Sequence, residues 1–254
     1  MAQRFPVEIL PILGAVFMFI GLATTYGIAA GLKHTDAFAP YISNTGDKSP
    51  ENGIFTIVMS GTTFLLVAIM LIRFKQVWDG TYHTGIKKII IQIVNCVALP
   101  SGLISGIGTL LVGSYRMSEN NALHNDGVVI GLLFGFIYMV LHTAIGPFVR
   151  PRLKLRWLVL GIRIILLILI VVASGIFLGC KEYDYYVLLK ISAITEWFLY
   201  ALIQSFFFIF VVEFRKMNLI FHFEFQENIR DDFERVWSDD KEENSLSIKL
   251  LPNC

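Results

Sequence analysis

Six separate stretches of this 254-residue chain, at 9–32, 54–74, 89–112, 128–148, 157–180 and 191–214, are long and apolar enough to cross a bilayer. A span needs about 20 mostly apolar residues, because ~30 Å of hydrocarbon is covered at ~1.5 Å per helical residue. Inside hydrocarbon every backbone N–H and C=O must find a partner within the protein, which leaves only helices and closed barrels. Long apolar runs with weak alternation do not suit a barrel. The expected fold is therefore all-α: a polytopic membrane protein with six transmembrane helices in one bundle over residues 1–214, then a tail over 215–254. The first stretch, with Arg4 before it and Ala29-Ala30-Gly31 near its end, has elements of a signal peptide. It exceeds an apolar region of about 7–15 residues, so it reads as a retained anchor.

Composition agrees with burial in lipid. Apolar residues make up 55% of the chain and charged ones 16%, against about 25% charged residues in soluble domains. A chain so poor in charge cannot cover a water-facing surface, which excludes an ordinary soluble enzyme and a disordered protein. The net charge of +1 offers no basic footprint for phosphates, so no nucleic-acid partner is expected.

Lysine and arginine in the short loops set the orientation. One side collects Arg4, Arg73, Lys75, Lys87, Lys88, Arg150, Arg152, Lys154, Arg156, Arg215 and Lys216; the other holds Lys33, Lys48, Arg116, Lys181 and Lys190. Eleven against five assigns both termini to the cytosol, and an even number of spans requires that the two ends agree. The three cysteines, Cys96, Cys180 and Cys254, build no disulfide framework, because only Cys180 meets an oxidising compartment. The terminal Leu-Pro-Asn-Cys is not a prenylation box, and no Asn-x-Ser/Thr sequon occurs.

Glycines recur at four-residue spacing: Gly127, Gly131 and Gly135, then Gly102 with Gly106, and Gly27 with Gly31. Such stripes let helix backbones approach closely, either within the bundle, which is the plainer reading, or between copies. Pro100 is expected to kink the third span.

Polar groups inside apolar spans are where function would sit. Glu196 lies beside Trp197 in the sixth span, His124 and Asp126 open the fourth, and His34 follows the first. These groups could bind a metal or serve as acid and base, but their spacing matches no dense ligand motif. The plainer expectation is that Glu196 pairs with His124 or a loop donor and ties helix to helix, with no metal, cofactor or catalytic residue. Replacing Glu196 by Gln is then expected to impair folding or trafficking before any chemistry. Arg163 is placed to snorkel to the headgroups. His142, Gln92, Asn95 and Gln204 read as interhelical hydrogen-bonding groups.

The loop after the first span reads Pro40-Tyr41-Ile42-Ser43-Asn44-Thr45-Gly46-Asp47-Lys48-Ser49-Pro50-Glu51. It is dense in turn formers, with Tyr41 at the interface, and reads as an ordered lumenal cap. It also resembles the signature of the FRAG/DRAM/SFK superfamily of six-span proteins, and within it the damage-regulated autophagy modulators. Further points of likeness fall in order: Gly53-Ile54-Phe55, Arg73-Phe74-Lys75-Gln76-Val77, His124-Asn125-Asp126-Gly127, Tyr138, the tyrosines between 183 and 186, and Glu196-Trp197. The resemblance implies a lysosomal or endosomal membrane protein that promotes autophagy without an established enzymatic site. Pro40, Tyr41, Ser43, Thr45, Gly46, Glu51, His124, Gly127, Glu196 and Trp197 are its candidate structural residues.

In the tail, Leu219, Phe221, Phe223 and Phe225 alternate with polar or smaller neighbours and suggest a short extended segment. Phe225, Ile229, Phe233, Val236 and Trp237 then follow helical spacing, with Glu227, Asp231, Asp232 and Glu234 on the other face. An acidic face does not suit anionic lipid, so this helix is expected to meet protein. Asp239 to Glu243 read as a solvated acidic end, Ser238 as an acidophilic-kinase candidate, and Leu250-Leu251 as a poor sorting signal.

The expected partners are membrane lipids and an unidentified cytosolic or membrane protein. Two alternatives stay open: a plasma-membrane scaffold for a phosphoinositide kinase complex, and a secretory-pathway lipid-remodelling enzyme. The second requires His34, His124 and Glu196 to converge on a cavity.

Overall fold

In a computed structural model, residues 3–81, 83–149, 155–181, 183, 185–215 and 217–221 are described. Six long helices follow one another: α1 (Ile9–Gly31), α2 (Glu51–Gly80), α3 (Ile86–Ser114), α4 (Asn121–Val149), α5 (Arg156–Lys181) and α6 (Tyr186–Phe208). Ile209 separates α6 from a short α7 (Phe210–Phe214), and together they make the sixth element of spanning length. Residues 6–217 form one unit; the other consists of 1–5 and 218–254. Two short strands, β1 (Gln3–Pro6) and β2 (Asn218–Phe221), pair as a two-stranded sheet. The helix and acidic end read over 225–243 lie outside the described residues, as do Ser238, Leu250-Leu251, Cys254, Arg150, Arg152, Lys154, Lys216 and the side chain of Arg4.

Sequential helices are neighbours in space, with α3 packed most intimately on α4 and α5 on α6. The Val7 amide bonds the Met217 carbonyl at 3.1 Å, so the chain enters and leaves the six-helix unit at the same end. Faces turned outward are apolar: Ile165, Ile168, Val171 and Val172 of α5 are each more than half exposed, which suits lipid rather than water.

The glycine stripe on α4 serves packing inside the unit. A Cβ on Gly127 would stand 2.8 Å from the Gly108 carbonyl of α3, and one on Gly108 would stand 2.7 Å from the Gly127 carbonyl. Side chains on both helices are excluded there, which is how backbones come close without a hydrophobic drive between them. Gly27 and Gly31 meet nothing within 4 Å. At Pro100, α3 runs through without interruption from Ile86 to Ser114.

The core centres on an aromatic ladder. Phe206, Phe207, Phe210 and Phe214 stack along α6 and α7, and Tyr138 of α4 lies parallel to Phe207 with centroids 5.8 Å apart. Ile69, Met70, Met139, Ile170 and Leu199 pack around them.

Candidate functional site

The connection between α1 and α2 folds back into the end of the bundle. Its course begins at the end of α1, where Lys33 adopts a left-handed φ of 58°. The amides of Lys33 and His34 bond the carbonyls of Ala30 and Ala29 at 3.1 and 2.8 Å. This is the two-bond Schellman closure that satisfies the last carbonyls of a helix. It delivers the His34 ring to Glu51, whose carboxylate lies 2.7 Å from Nδ1 at the start of α2, an end of the helix that favours negative charge.

Ile42 is 1% exposed, packed among Met18, Leu22, Phe55, Val58, Met59 and Val112. Ser43 to Gly46 form a single 3-10 turn, with Ser43, Thr45 and Gly46 buried. Gly46 is a spatial necessity, since a Cβ there would stand 2.6 Å from the Phe55 Cβ, an atom fixed to the α2 backbone.

Several buried polar groups of this plug are held by helices. The Ile42 amide donates to Glu196 Oε2 at 2.7 Å. Trp197 Nε1 donates to the Pro40 carbonyl at 2.8 Å, and its ring meets Tyr26 edge-on. Thr45 bonds the Ile42 carbonyl at 2.7 Å and faces the Thr25 hydroxyl at 3.3 Å. On the outer side, Lys190 Nζ donates to Asp36 Oδ2 and to the Phe38 carbonyl, both at 2.6 Å. The Lys190 ammonium and the Phe38 amide hold the Asp36 carboxyl below its ordinary value. Tyr41, expected at the interface, instead tucks against the Phe177 ring, and burial raises its phenol above the usual range.

Glu196 takes the loop donor expected from sequence, the Ile42 amide, rather than the alternative, His124. The Nδ1 of His124 lies 2.8 Å from the Tyr115 carbonyl and its Nε2 2.9 Å from Ser43 Oγ. A carbonyl can only accept, so Nδ1 carries a proton toward Tyr115, while Nε2 faces the Ser43 hydroxyl, which also interacts with Glu196. Both residues therefore bind the plug rather than each other: the histidine through Ser43, the carboxylate through Ile42. Helix α6 starts at Tyr186, which puts Glu196 about 15 Å along it, deeper than the apolar stretch implied. Asp126 is exposed and takes no part. Among the described residues no group of three or more His, Cys, Asp or Glu could hold a metal ion.

Beyond the plug a cavity of about 100 Å³ runs between the helices. Ser43 and Glu196 line its loop end, while most other walls are apolar. His34 and His124 are absent from that lining, so the three residues that lipid remodelling would need do not converge on it.

A second buried polar cluster occupies the opposite end. Arg163 grips Glu213 with two nitrogens at 2.7 and 3.3 Å, and Arg73 Nη1 lies 3.4 Å from the same carboxylate. Gln76 accepts from Arg73 at 2.6 Å and donates to the Glu213 backbone carbonyl at 2.8 Å. Arg73 Nε reaches His142 Nδ1 at 3.5 Å, and the Phe210 ring lies beneath both guanidiniums. This corrects the snorkelling expected of Arg163, which is 1% exposed. A carboxylate within reach removes the reason for a guanidinium to seek the headgroups. Asn95, bonded to the Phe74 carbonyl, and Gln204, bonded to the Met18 sulfur, do join helices.

Sequence reasoning missed Glu213, Asp36 and the role of Lys190. It counted Arg73 as a charge marking orientation and as part of a family likeness, not as the partner of a buried acid. The signal available was an acid and two bases within or beside apolar spans, which call for partners.

The family model described as Frag1/DRAM/Sfk1/Cwh43P N-terminal domain matches residues 6–217. Among curated proteins, the chain is 28% identical to modulator of macroautophagy TMEM150B-B of Xenopus laevis, over 81% of this chain and 85% of that one. It is 26% identical to human DNA damage-regulated autophagy modulator protein 2, over 81% of each chain. Human DNA damage-regulated autophagy modulator protein 1 is 26% identical over 77% of this chain and 85% of its own. No solved structure matches.

Proposed function

Since the chain belongs to the Frag1/DRAM/Sfk1/Cwh43P family, we propose that it is a six-span protein of lysosomal or endosomal membranes that modulates autophagy without catalysing a reaction. The observation that carries this reading is the likeness to proteins named as autophagy modulators, which extends over about four-fifths of both chains.

The plug supports a non-enzymatic role. The Ser43–His124 pair is the one arrangement in it that could activate a nucleophile. Acyl chemistry there would also need donors for a developing oxyanion. The neighbouring amides of Asn44 and Thr45 are already committed to the Tyr41 and Ile42 carbonyls, at 3.1 and 3.0 Å. The pair therefore reads as a clasp.

By the charge balance of the loops, the plug end faces the lumen and the Arg73–Glu213–Arg163 end the cytosol. Modulation then works by recruiting a protein partner at the cytosolic face or by altering the surrounding lipid. The test is the steady-state location of the tagged protein at endogenous expression, against lysosomal, Golgi and plasma-membrane markers. Coincidence with lysosomal or endosomal markers is expected. A plasma-membrane location would favour a kinase scaffold, a Golgi or endoplasmic-reticulum location lipid remodelling, and either would overturn the proposal.

A further inference from the structure

We propose that the cavity inside the bundle binds a single-chain lipid whose headgroup both donates and accepts a hydrogen bond, with Glu196 and Thr62 meeting the head and the chain lying between α2 and α6. This inference does not depend on the autophagy reading.

Shape comes first. The lining runs from Met59 to Met70 on α2 and from Glu196 to Phe207 on α6, about 16 Å at 1.5 Å per residue. That length suits one extended alkyl chain. A volume of about 100 Å³ is smaller than the ~150 Å³ that admits a benzene ring, so the side chains lining the cavity must move aside to take an alkyl chain.

The walls can yield to admit the chain. Met18, Met59, Met70 and Met139 all line the cavity, from four different positions on α1, α2 and α4. Methionine has three rotatable bonds and a polarisable sulfur, so it re-packs around an apolar guest where branched side chains would resist.

Polarity identifies the head. Thr62 is 2% exposed and lines the cavity, and its hydroxyl has no hydrogen-bond partner. Buried polar groups left in that state are uncommon and costly. Glu196 also lines the cavity; the Ile42 amide and the Ser43 hydroxyl both bear on its carboxyl, and a carboxylate's acceptor sites number about four. Counted from the loop-end starts of α2 and α6, both residues lie about 15 Å along their helices. A glycerol-type head satisfies both, its hydroxyl donating to Glu196 and an ester oxygen accepting from Thr62.

The experiment uses the purified full-length protein and a monoacylglycerol carrying a photoreactive diazirine in its chain. Adducts are expected on the cavity-lining residues between Met59 and Met70 and between Leu199 and Phe207. Unlabelled monoacylglycerol should compete about tenfold better than the methyl ester of the same acid, which cannot donate to Glu196. Thr62→Phe should cut labelling about tenfold, while Phe64→Ala, on the outward face of α2, should leave it unchanged. Adducts confined to outward residues such as Phe64 and Leu71 would overturn the proposal. So would equal competition by the methyl ester, or full labelling of a folded Thr62→Phe protein. If Thr62→Phe does not fold, the adduct map and the competition on the unaltered protein decide the matter alone.

Discussion

The amide of Ile42 donates a 2.7 Å hydrogen bond to the carboxyl of Glu196, 154 positions later in the chain. That bond fastens the α1–α2 connection to the sixth helix, inside a site where Ile42 is 1% and Glu196 5% exposed. Glu196→Ala leaves a buried amide unpaired, and a loss of about 1–3 kcal/mol is expected. Glu196→Gln keeps an acceptor at the same place and should lose less than half of that. Thermal denaturation of the two purified variants checks the order.

Gly46→Ala should destabilise the same plug from the other side. Its new methyl would meet the Phe55 Cβ at 2.6 Å, an atom that cannot swing away. Overpacking of this kind costs about 1–3 kcal/mol. A melting temperature equal to that of the unaltered protein would show that the turn does not sit on α2 as described.

The two glycine pairs make a paired comparison. Gly127→Leu should disrupt the α3–α4 contact, where the Gly108 carbonyl and the Leu111 Cβ each stand 2.8 Å from the added Cβ. Gly27→Leu should be neutral or slightly stabilising, because it meets nothing within 4 Å and leucine is the better helix former. Detergent-resistance assays on the two variants separate these outcomes.

At the opposite end, Glu213→Gln should be more damaging than Arg163→Met. The carboxylate faces two guanidiniums, at 2.7 and 3.4 Å, so its neutralisation leaves two buried cations together. Breaking a buried ion pair from one side costs about 3–5 kcal/mol. Arg163→Met removes one cation and leaves Arg73 beside the acid. Yield of folded protein after purification ranks the two.

Asp36 supplies the pH prediction. Its carboxyl is held below the ordinary 3.8 by Lys190 and the Phe38 amide. A depressed acid adds stability above its unfolded value, and that contribution is lost only as pH falls through the folded value. The Asp36–Lys190 contact should therefore persist unchanged from pH 7 to pH 5. The carbon-13 shift of the Asp36 carboxyl, followed against pH, should show a midpoint below 3.8, moved upward by Lys190→Met.

Much of the fold was legible because hydrocarbon leaves a chain few options: six apolar runs become six helices, whatever the details of packing. Glu196, His124 and Trp197 stood out for the same reason, as polar or amphipathic groups in apolar surroundings. Their partners were not legible. Which loop atom meets Glu196 depends on how far the plug sinks between helices, and that depth is set by Ile42 packing on Met18, Phe55 and Val112. Arg163 was misread because the acid that binds it lies 50 positions away, on a helix whose break at Ile209 no apolar run reveals. Apolar periodicity also carries no mark of a cavity, because the methionines that line it look like any other core residue.

The central claim is that this protein modulates autophagy without chemistry, and the flux of an autophagy reporter in cells lacking it tests that most directly. Flux should fall in those cells and return with the unaltered protein. It should return equally with Ser43→Ala, which removes the only hydroxyl placed on His124 among the described residues. Flux indifferent to loss of the protein would contradict the claim, and so would failure of a normally expressed and located Ser43→Ala protein to restore it.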